Sequence, residues 1–378
     1  MFGRGALEYL KEIEGERAFI VTDKVIRGLG FVDKAVDYLK EASIKVKVFD
    51  EVEPEPSIET VKKGTEIAID YQPDWIIGIG GGSSIDAAKA IWILYERPDI
   101  KVEEISPLAK LGLRKKARLI CIPTTSGSGS DASWAIVVTD TKERRKMELG
   151  SKEVVPDVSI LDSELTLTMS HELIADTGFD ALSHGVEAYV SQWRNDFSDA
   201  LAIRAIQLVF MYLPRAYRNP DDEVVREKMQ NAATMAGLAF SNSHLGLVHA
   251  VAHAMGGLFK IPHGRATAIV LPCVMEYNLR EAMERYSEIS KAIGIKASTQ
   301  KEAVEELVEA IRRLAVEIGE PTSVGAVGIS WVEYEKNLGK LVERAMESTT
   351  IVADPRSPST GDFRRLFVCV FRGKRVNF

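Results

Sequence analysis

The stretch DWIIGIGGGSSIDAAK, residues 74–89, decides how the chain is read. Residues 74–80 have the length and apolar character of a buried strand, and a helical pattern follows from 83 to 95. Gly80 ends the strand, and Gly81 and Gly82 stand between it and the helix. Glycines at a strand-to-helix turn let the backbone approach a bulky anion, which the free N–H groups and the positive end of the helix dipole then hold. The pattern is not a G-x-G-x-x-G fingerprint, because Ser83 stands at its last glycine position, and no G-K-[ST] follows. Taken alone it is equally a tight turn without a ligand. A second polar loop, PTTSGSGS at 123–130, also follows an apolar strand, RLICIP at 118–123. Two such loops at the carboxyl ends of strands point to a dinucleotide site.

On the N-terminal side the same alternation continues. Residues 17–22 (RAFIVT) and 45–50 (KVKVFD) read as strands, and 31–42 and 58–71 as helices. This order predicts a parallel sheet covered on both faces. Asp23 and Asp50 end the first two strands. Either suits a ribose hydroxyl, and either suits a turn or a helix cap. After the VSILD segment at 158–162 the strand signal fades, and helical patterns cover 171–191, 197–213, 222–241, 245–256, 281–293 and 301–318. The expected organisation is an α/β dinucleotide-binding domain over 1–162 and a helical domain over 163–378. The tail, 366–378 (LFVCVFRGKRVNF), reads as a strand.

Composition sets the outer limits. The chain has 378 residues, 46% of them hydrophobic, with 48 Lys and Arg against 55 Asp and Glu, a net charge of −7. There is no basic surplus for a nucleic acid backbone, so none is expected as a partner. No stretch approaches ~18 uninterrupted apolar residues, and the N-terminus lacks the apolar core of a secretory signal. Cys121, Cys273 and Cys369 are odd in number and far apart, so no disulfide framework is expected and a reducing cytoplasm is the default.

Six histidines are present, and four of them, His244, His249, His253 and His263, fall within twenty residues. His249 and His253 stand i, i+4 on a predicted helix, and His263 follows Pro262 in what reads as a loop. A second predicted helix, GFDALSHGVEAYVS, carries Asp180 and His184 at the same spacing. Each histidine alone is more simply a hydrogen-bonded core residue. Together, Asp180, His184, His249 and His263 offer three imidazoles and a carboxylate, a set for Zn(II) or Fe(II) rather than Mg(II) or Ca(II). His171 and His244 are read as structural.

With these segments in hand, the chain resembles the iron-containing (group III) alcohol dehydrogenases over nearly its whole length. The resemblance rests on VTDK at 21–24, GGGSSIDAAK at 80–89, PTTSGSGSD at 123–131, PDVSILDSELT at 156–166, GFDALSHGVEAY at 178–189 and GLVHAVAHAMGGLFKIPHG at 246–264. It implies a dehydroquinate synthase-like architecture, with the active site in the cleft between an α/β and a helical domain. It implies Asp180, His184, His249 and His263 as metal ligands, and Gly81, Gly82 and Ser83 as the pyrophosphate loop. Thr124, Thr125 and Ser128 match positions lining the cofactor, with Asp86 and Lys146 close by. His253 matches a histidine in the cleft that is not a primary ligand. Asp23 matches the contact to the adenosine ribose, where a carboxylate implies NAD before NADP. Asp131 stands where glutamate is commoner, and the tail departs from the family's closing helix.

The expected activity is NAD(P)-dependent interconversion of a primary or small alcohol and its aldehyde, with Fe(II) or Zn(II) polarising the substrate oxygen. His253 is expected to relay the proton. A glycerol or polyol dehydrogenase is the neighbouring reading. More distant are a metal-free reductase, a dehydroquinate synthase-like lyase, and a metal- and nucleotide-binding regulator without turnover. A homodimer or higher homo-oligomer is expected, and no membrane. Trp134 suits the cleft and the core equally.

Overall fold

The computed structural model describes residues 1–143 and 145–378. The chain divides into two compact units, Met1–Thr168 and Met169–Phe378. Residues 163–168, read from the sequence as the start of the second part, lie in the first unit.

The first unit runs β1 (Arg17–Val21), α1 (Lys24–Gly28), α2 (Phe31–Glu41), β2 (Lys45–Phe49), α3 (Ile58–Tyr71), β3 (Trp75–Gly80), α4 (Gly82–Glu96), β4 (Arg118–Pro123), β5 (Ala135–Asp140), β6 (Arg145–Gly150) and β7 (Val158–Ser159). Five strands form a parallel sheet in the order β2-β1-β3-β4-β7. Side chains of a strand alternate between faces, and the core divides accordingly. Phe19, Val21, Ile76, Leu119 and Cys121 pack with Val61 of α3 and Ile91 and Trp92 of α4. Ala18, Ile20, Ile77, Ile79, Ile120 and Ile122 pack with Val32, Ala35 and Leu39 of α2 on the other side. The strand order reverses direction between β1 and β3. In open α/β sheets that reversal leaves a crevice at the carboxyl ends of the strands, where ligands bind. Here those ends are Asp23 and the glycine loop.

The hairpin β5–β6 is antiparallel and separate from the main sheet, and it is an addition to the strands expected from the sequence. Helix α4 ties it down. The buried Lys89 ammonium donates to Ser133 O (2.7 Å) and Ala135 O (3.1 Å), and Asp86 Oδ2 accepts from Val137 N (2.8 Å). Trp134 packs on the core cluster around Trp92, which selects the core reading of that residue.

The second unit has eight helices among the described residues: α5 (His171–Val190), α6 (Asp196–Arg218), α7 (Glu223–Ser243), α8 (Leu247–Phe259), α9 (His263–Ala292), α10 (Gln300–Glu317), α11 (Trp331–Glu347) and α12 (Thr360–Arg372). Helix α5 is buried almost all round, against α6, α7 and α9. Helix α6 alone among the described residues meets the length and hydropathy of a membrane span. It packs on α5 and α7 through Ala202, Ile206, Val209 and Leu213 as a core helix does.

Two expectations need correction. The tail is helical, not a strand: Ser359 and Asp362 form a capping box, and Phe363, Leu366, Phe367 and Val370 share one buried stripe. The helix read over 281–293 begins at His263 and is bent at Ala282 (φ −122°). Helix α11 is an addition to the helices expected from the sequence.

Candidate functional site

The second unit gathers the histidines. Helix α5, capped by Ser170, presents Asp180 and His184 one turn apart on a buried face. Helix α8 brings His249, and His263 is the first residue of α9, after Pro262 at the cap position, rather than a loop residue. All three rings turn Nε2 toward one atom. His263 Nε2 lies 3.3 Å from Asp180 Oδ1, His249 Nε2 3.6 Å and His184 Nε2 3.7 Å. Four ligands about 2.1 Å from a tetrahedral metal stand roughly 3.4 Å from one another, so these separations are those of a coordination shell. Asp180, His184 and His249 offer donor atoms all within 4.8 Å of each other.

Energetics point the same way. Asp180 Oδ1 and His249 Nε2 are buried and make no hydrogen bond. Leaving such an atom unsatisfied costs about 1–3 kcal/mol, and one cation answers both. Burial by itself would push the Asp180 carboxyl up, but the His184 and His263 imidazoles beside it outweigh that and hold it well below the usual carboxylate range. Burial would likewise lower His249, yet the Glu187 and Asp180 carboxylates push it up to about 10, so a metal would have to compete there with a proton.

One glycine makes the geometry feasible. A methyl group at Gly264 would overlap the carbonyl carbon and oxygen of Asp176 and lie 3.0 Å from its Cα. Without a side chain, the start of α9 comes close enough to α5 for His263 to reach Asp180. His253, one turn beyond His249, is half-buried, with its ring 4.9 Å from that of His263 and 5.8 Å from that of His249. His171 and His244 pack edge-on against Tyr217 and Trp193. The motif reading passes over Glu187, whose Oε2 contacts His249 Nδ1 and whose Oε1 accepts from Val248 N (2.6 Å). Its i+7 spacing from Asp180 is the signal that could have found it.

In the first unit the two polar loops meet. Thr124 N donates to Gly80 O (2.9 Å), and a Cβ at Gly82 would lie 3.0 Å from Ser128, one at Gly81 3.5 Å from Thr125. Gly80 has φ +149°, a conformation that favours glycine. Helix α4 has Gly81 at its N-cap, with no side-chain cap and no acidic residue in its first turn, which leaves its N–H groups open to an anion. Ser84 Oγ donates to Asp23 Oδ2 (3.1 Å), linking the ends of β1 and β3. The other oxygen, Asp23 Oδ1, caps α1 by accepting from Val25 N (2.9 Å) and Ile26 N (3.0 Å). Asp50 is ion-paired with Arg27 (2.7 Å). Ser83 Oγ accepts from Glu55 N (3.2 Å), and Glu55 pairs with the Lys146 ammonium (2.7 Å). Asp86 and the neighbouring Lys89 face the hairpin, and burial pushes the carboxyl up and the ammonium down.

Two family models match the chain. One is described as iron-containing alcohol dehydrogenase, over residues 1–163, and the other as the C-terminal part of the Fe-containing alcohol dehydrogenase family, over 174–369. An NADPH-dependent butanol dehydrogenase of Clostridium saccharobutylicum is 41% identical over 379 residues, covering 100% of this chain and 97% of the relative. An aldehyde-alcohol dehydrogenase of Streptococcus pneumoniae is 38% identical over 98% of this chain, which spans 45% of that longer protein. A crystal structure of a 1,3-propanediol oxidoreductase superposes with a TM-score of 0.92 at 34% identity, covering 98% of this chain and 97% of the other.

Proposed function

The chain belongs to the iron-containing alcohol dehydrogenase family, and on that footing we propose that it interconverts a primary or small alcohol and its aldehyde using NAD(P) and Fe(II). The observation that carries the metal assignment is the convergence of three imidazoles on Asp180 Oδ1. Bound there by Asp180, His184, His249 and His263, a divalent ion supplies Lewis acidity toward a substrate oxygen. Zinc suits the same donors, and the family description favours iron. Metal analysis of anaerobically purified protein, with nicotinamide absorbance at 340 nm across a panel of alcohols and polyols, tests the assignment. A metal-free protein with full turnover would refute it, and turnover restricted to polyols would favour the glycerol-type reading. Family membership makes the chain an enzyme and removes the regulator reading.

The chain's own groups take the remaining tasks. Gly81, Gly82 and Ser83 receive the pyrophosphate at the open end of α4, and Thr125 and Ser128 close over it. His253, half-buried with its ring beside those of His249 and His263, moves the proton between substrate and solvent. His253→Ala is expected to retain metal while turnover falls by about 10²-fold or more and its pH profile changes shape. A metal-free variant would make His253 a ligand instead.

The NAD preference rests on Asp23. A 2′-phosphate brought beside this carboxylate meets like charge in a partly desolvated groove. The butanol dehydrogenase relative is named as NADPH-dependent, and Lys24 and Arg27 are exposed cations nearby in sequence, so the proposal is a demanding one. Asp23→Ser keeps a capping oxygen for α1 and removes the charge. The ratio of kcat/KM for NADP to that for NAD is expected to rise by about tenfold or more, or ~1.4 kcal/mol. A wild-type preference for NADP, or an unchanged ratio, would show that Asp23 serves only as a cap. A homo-oligomer in the cytoplasm completes the proposal, with light scattering to measure the assembly.

A further inference from the structure

A neutral imidazole carries one proton on two nitrogens, and only the bare nitrogen can bind a metal. For His249 to join the other donors, its proton must therefore sit on Nδ1. Glu187 Oε2 is in hydrogen-bond contact with that Nδ1, and both side chains are buried. A carboxylate oxygen accepts, so Nδ1 donates, and Nε2, toward Asp180, is the nitrogen that would give up its proton to a metal. The second oxygen of Glu187 accepts from Val248 N at 2.6 Å, the backbone just before His249. Glu187 thus grips the ring with one oxygen and the first turn of α8 with the other. It does so from α5, the helix that also carries Asp180 and His184.

A second buried carboxylate shares the helix end but not the ring. Asp354 Oδ1 accepts from Leu247 N (2.9 Å). A Cβ at Gly246 would lie 2.5 Å from Asp354 Oδ1 and 3.1 Å from Glu187 Oε1, so both acids close on the same turn. Asp354 comes from the segment after α11, where Thr350 Oγ1 also donates to Gly246 O (2.9 Å). Two acids at one helix start suit the positive end of its dipole. Only one of them touches an imidazole.

We propose that Glu187 is the positioning residue of the metal centre, holding the His249 proton on Nδ1 and thereby presenting Nε2 to the metal, whereas Asp354 touches no imidazole and holds only the backbone N–H groups of Leu247 and Arg356. This rests on the metal assignment above. Outer carboxylates of this kind typically change metal affinity by ~10–100-fold.

The test compares Glu187→Gln with Asp354→Asn. A carboxamide has one accepting oxygen. At 187 it cannot serve both Val248 N–H and His249 Nδ1–H, and its NH2 presents a donor where an acceptor is needed. At 354 the remaining oxygen still accepts from Leu247 N–H, and only the longer bond from Arg356 N–H (3.3 Å) is lost. Zn(II) affinity, measured on metal-stripped full-length protein by chelator competition, is expected to fall about 10–100-fold in Glu187→Gln and by less than about threefold in Asp354→Asn. In the zinc-loaded wild type, the His249 Nδ1 proton should give a downfield NMR resonance that Glu187→Gln loses and Asp354→Asn keeps. Circular dichroism and Tm of the metal-free variants guard against mistaking misfolding for lost affinity. Equal affinity and an unchanged resonance in Glu187→Gln, or an equal loss in both variants, overturns the proposal. A wild type that binds no zinc overturns the metal assignment instead.

Discussion

Asp180→Asn is expected to strip the metal and lower kcat/KM on the order of 10³-fold or more, because Lewis-acid stabilisation is worth several kcal/mol. The substitution keeps volume and shape. It removes the one negative charge on which three Nε2 atoms converge at 3.3–3.7 Å. Of the four donors, Asp180 and His249 are the ones whose converging atoms are buried without a hydrogen bond. His263→Ala is expected to do less. Its side chain is 29% exposed, so water can take the vacated coordination position. Metal content by mass spectrometry and steady-state kinetics decide the matter. Stoichiometric metal with turnover within tenfold of wild type in Asp180→Asn would falsify the assignment of that carboxylate.

Gly264→Ala is the second substitution with a large expected effect, although it alters no donor. The added methyl collides with backbone, the Asp176 carbonyl, which has no rotamer to escape into. The start of α9 must then move off α5. Overpacking of this kind costs ~1–3 kcal/mol, and for a unit of this size 3 kcal/mol lowers Tm by roughly 6–12 °C. His263 is carried along, so metal affinity should fall with stability, and excess metal should restore little of either. Calorimetry of the metal-stripped and metal-loaded variant separates the two losses. A Tm within about 1 °C of wild type, with metal retained, would mean that the two helices need no such close approach.

Much of the candidate metal site is legible in the amino-acid sequence, for particular reasons. Asp180 and His184 share a helical face by arithmetic, and histidine is rare enough in this chain for four in twenty residues to stand out. The buried strands β1, β3 and β4 are short unbroken apolar runs bounded by turn residues, which makes them plain to read. What escapes depends on contacts between distant segments. Glu187 is one carboxylate among 55 acidic residues, and only the arrival of α8 shows which imidazole it meets. Gly264 looks like an ordinary glycine until α5 crosses it. Asp23 is open in sequence between ribose contact and helix cap, and the fold commits its Oδ1 to the cap. Strand β6 is RKMELG, too polar to announce itself without β5 beside it. The tail misleads because LFVCVF has strand composition, while its capping box and i, i+3, i+4, i+7 apolar stripe require Phe363 to be counted in.

Donors drawn from three helices have a bearing on the order of folding. As the chain leaves the ribosome, α5 carries only Asp180 and His184, and two ligands hold a divalent ion weakly. His249 and His263 follow dozens of residues later, on α8 and α9. An ion therefore has nothing to nucleate. Such an ion would enter as a latch once the bundle has closed, binding the native state far better than the unfolded one. A contact absent from the transition state slows unfolding without speeding folding. A metal held by these four donors is thus expected to govern how long a folded molecule lasts, and a chelator to shorten that lifetime without changing how quickly new molecules form.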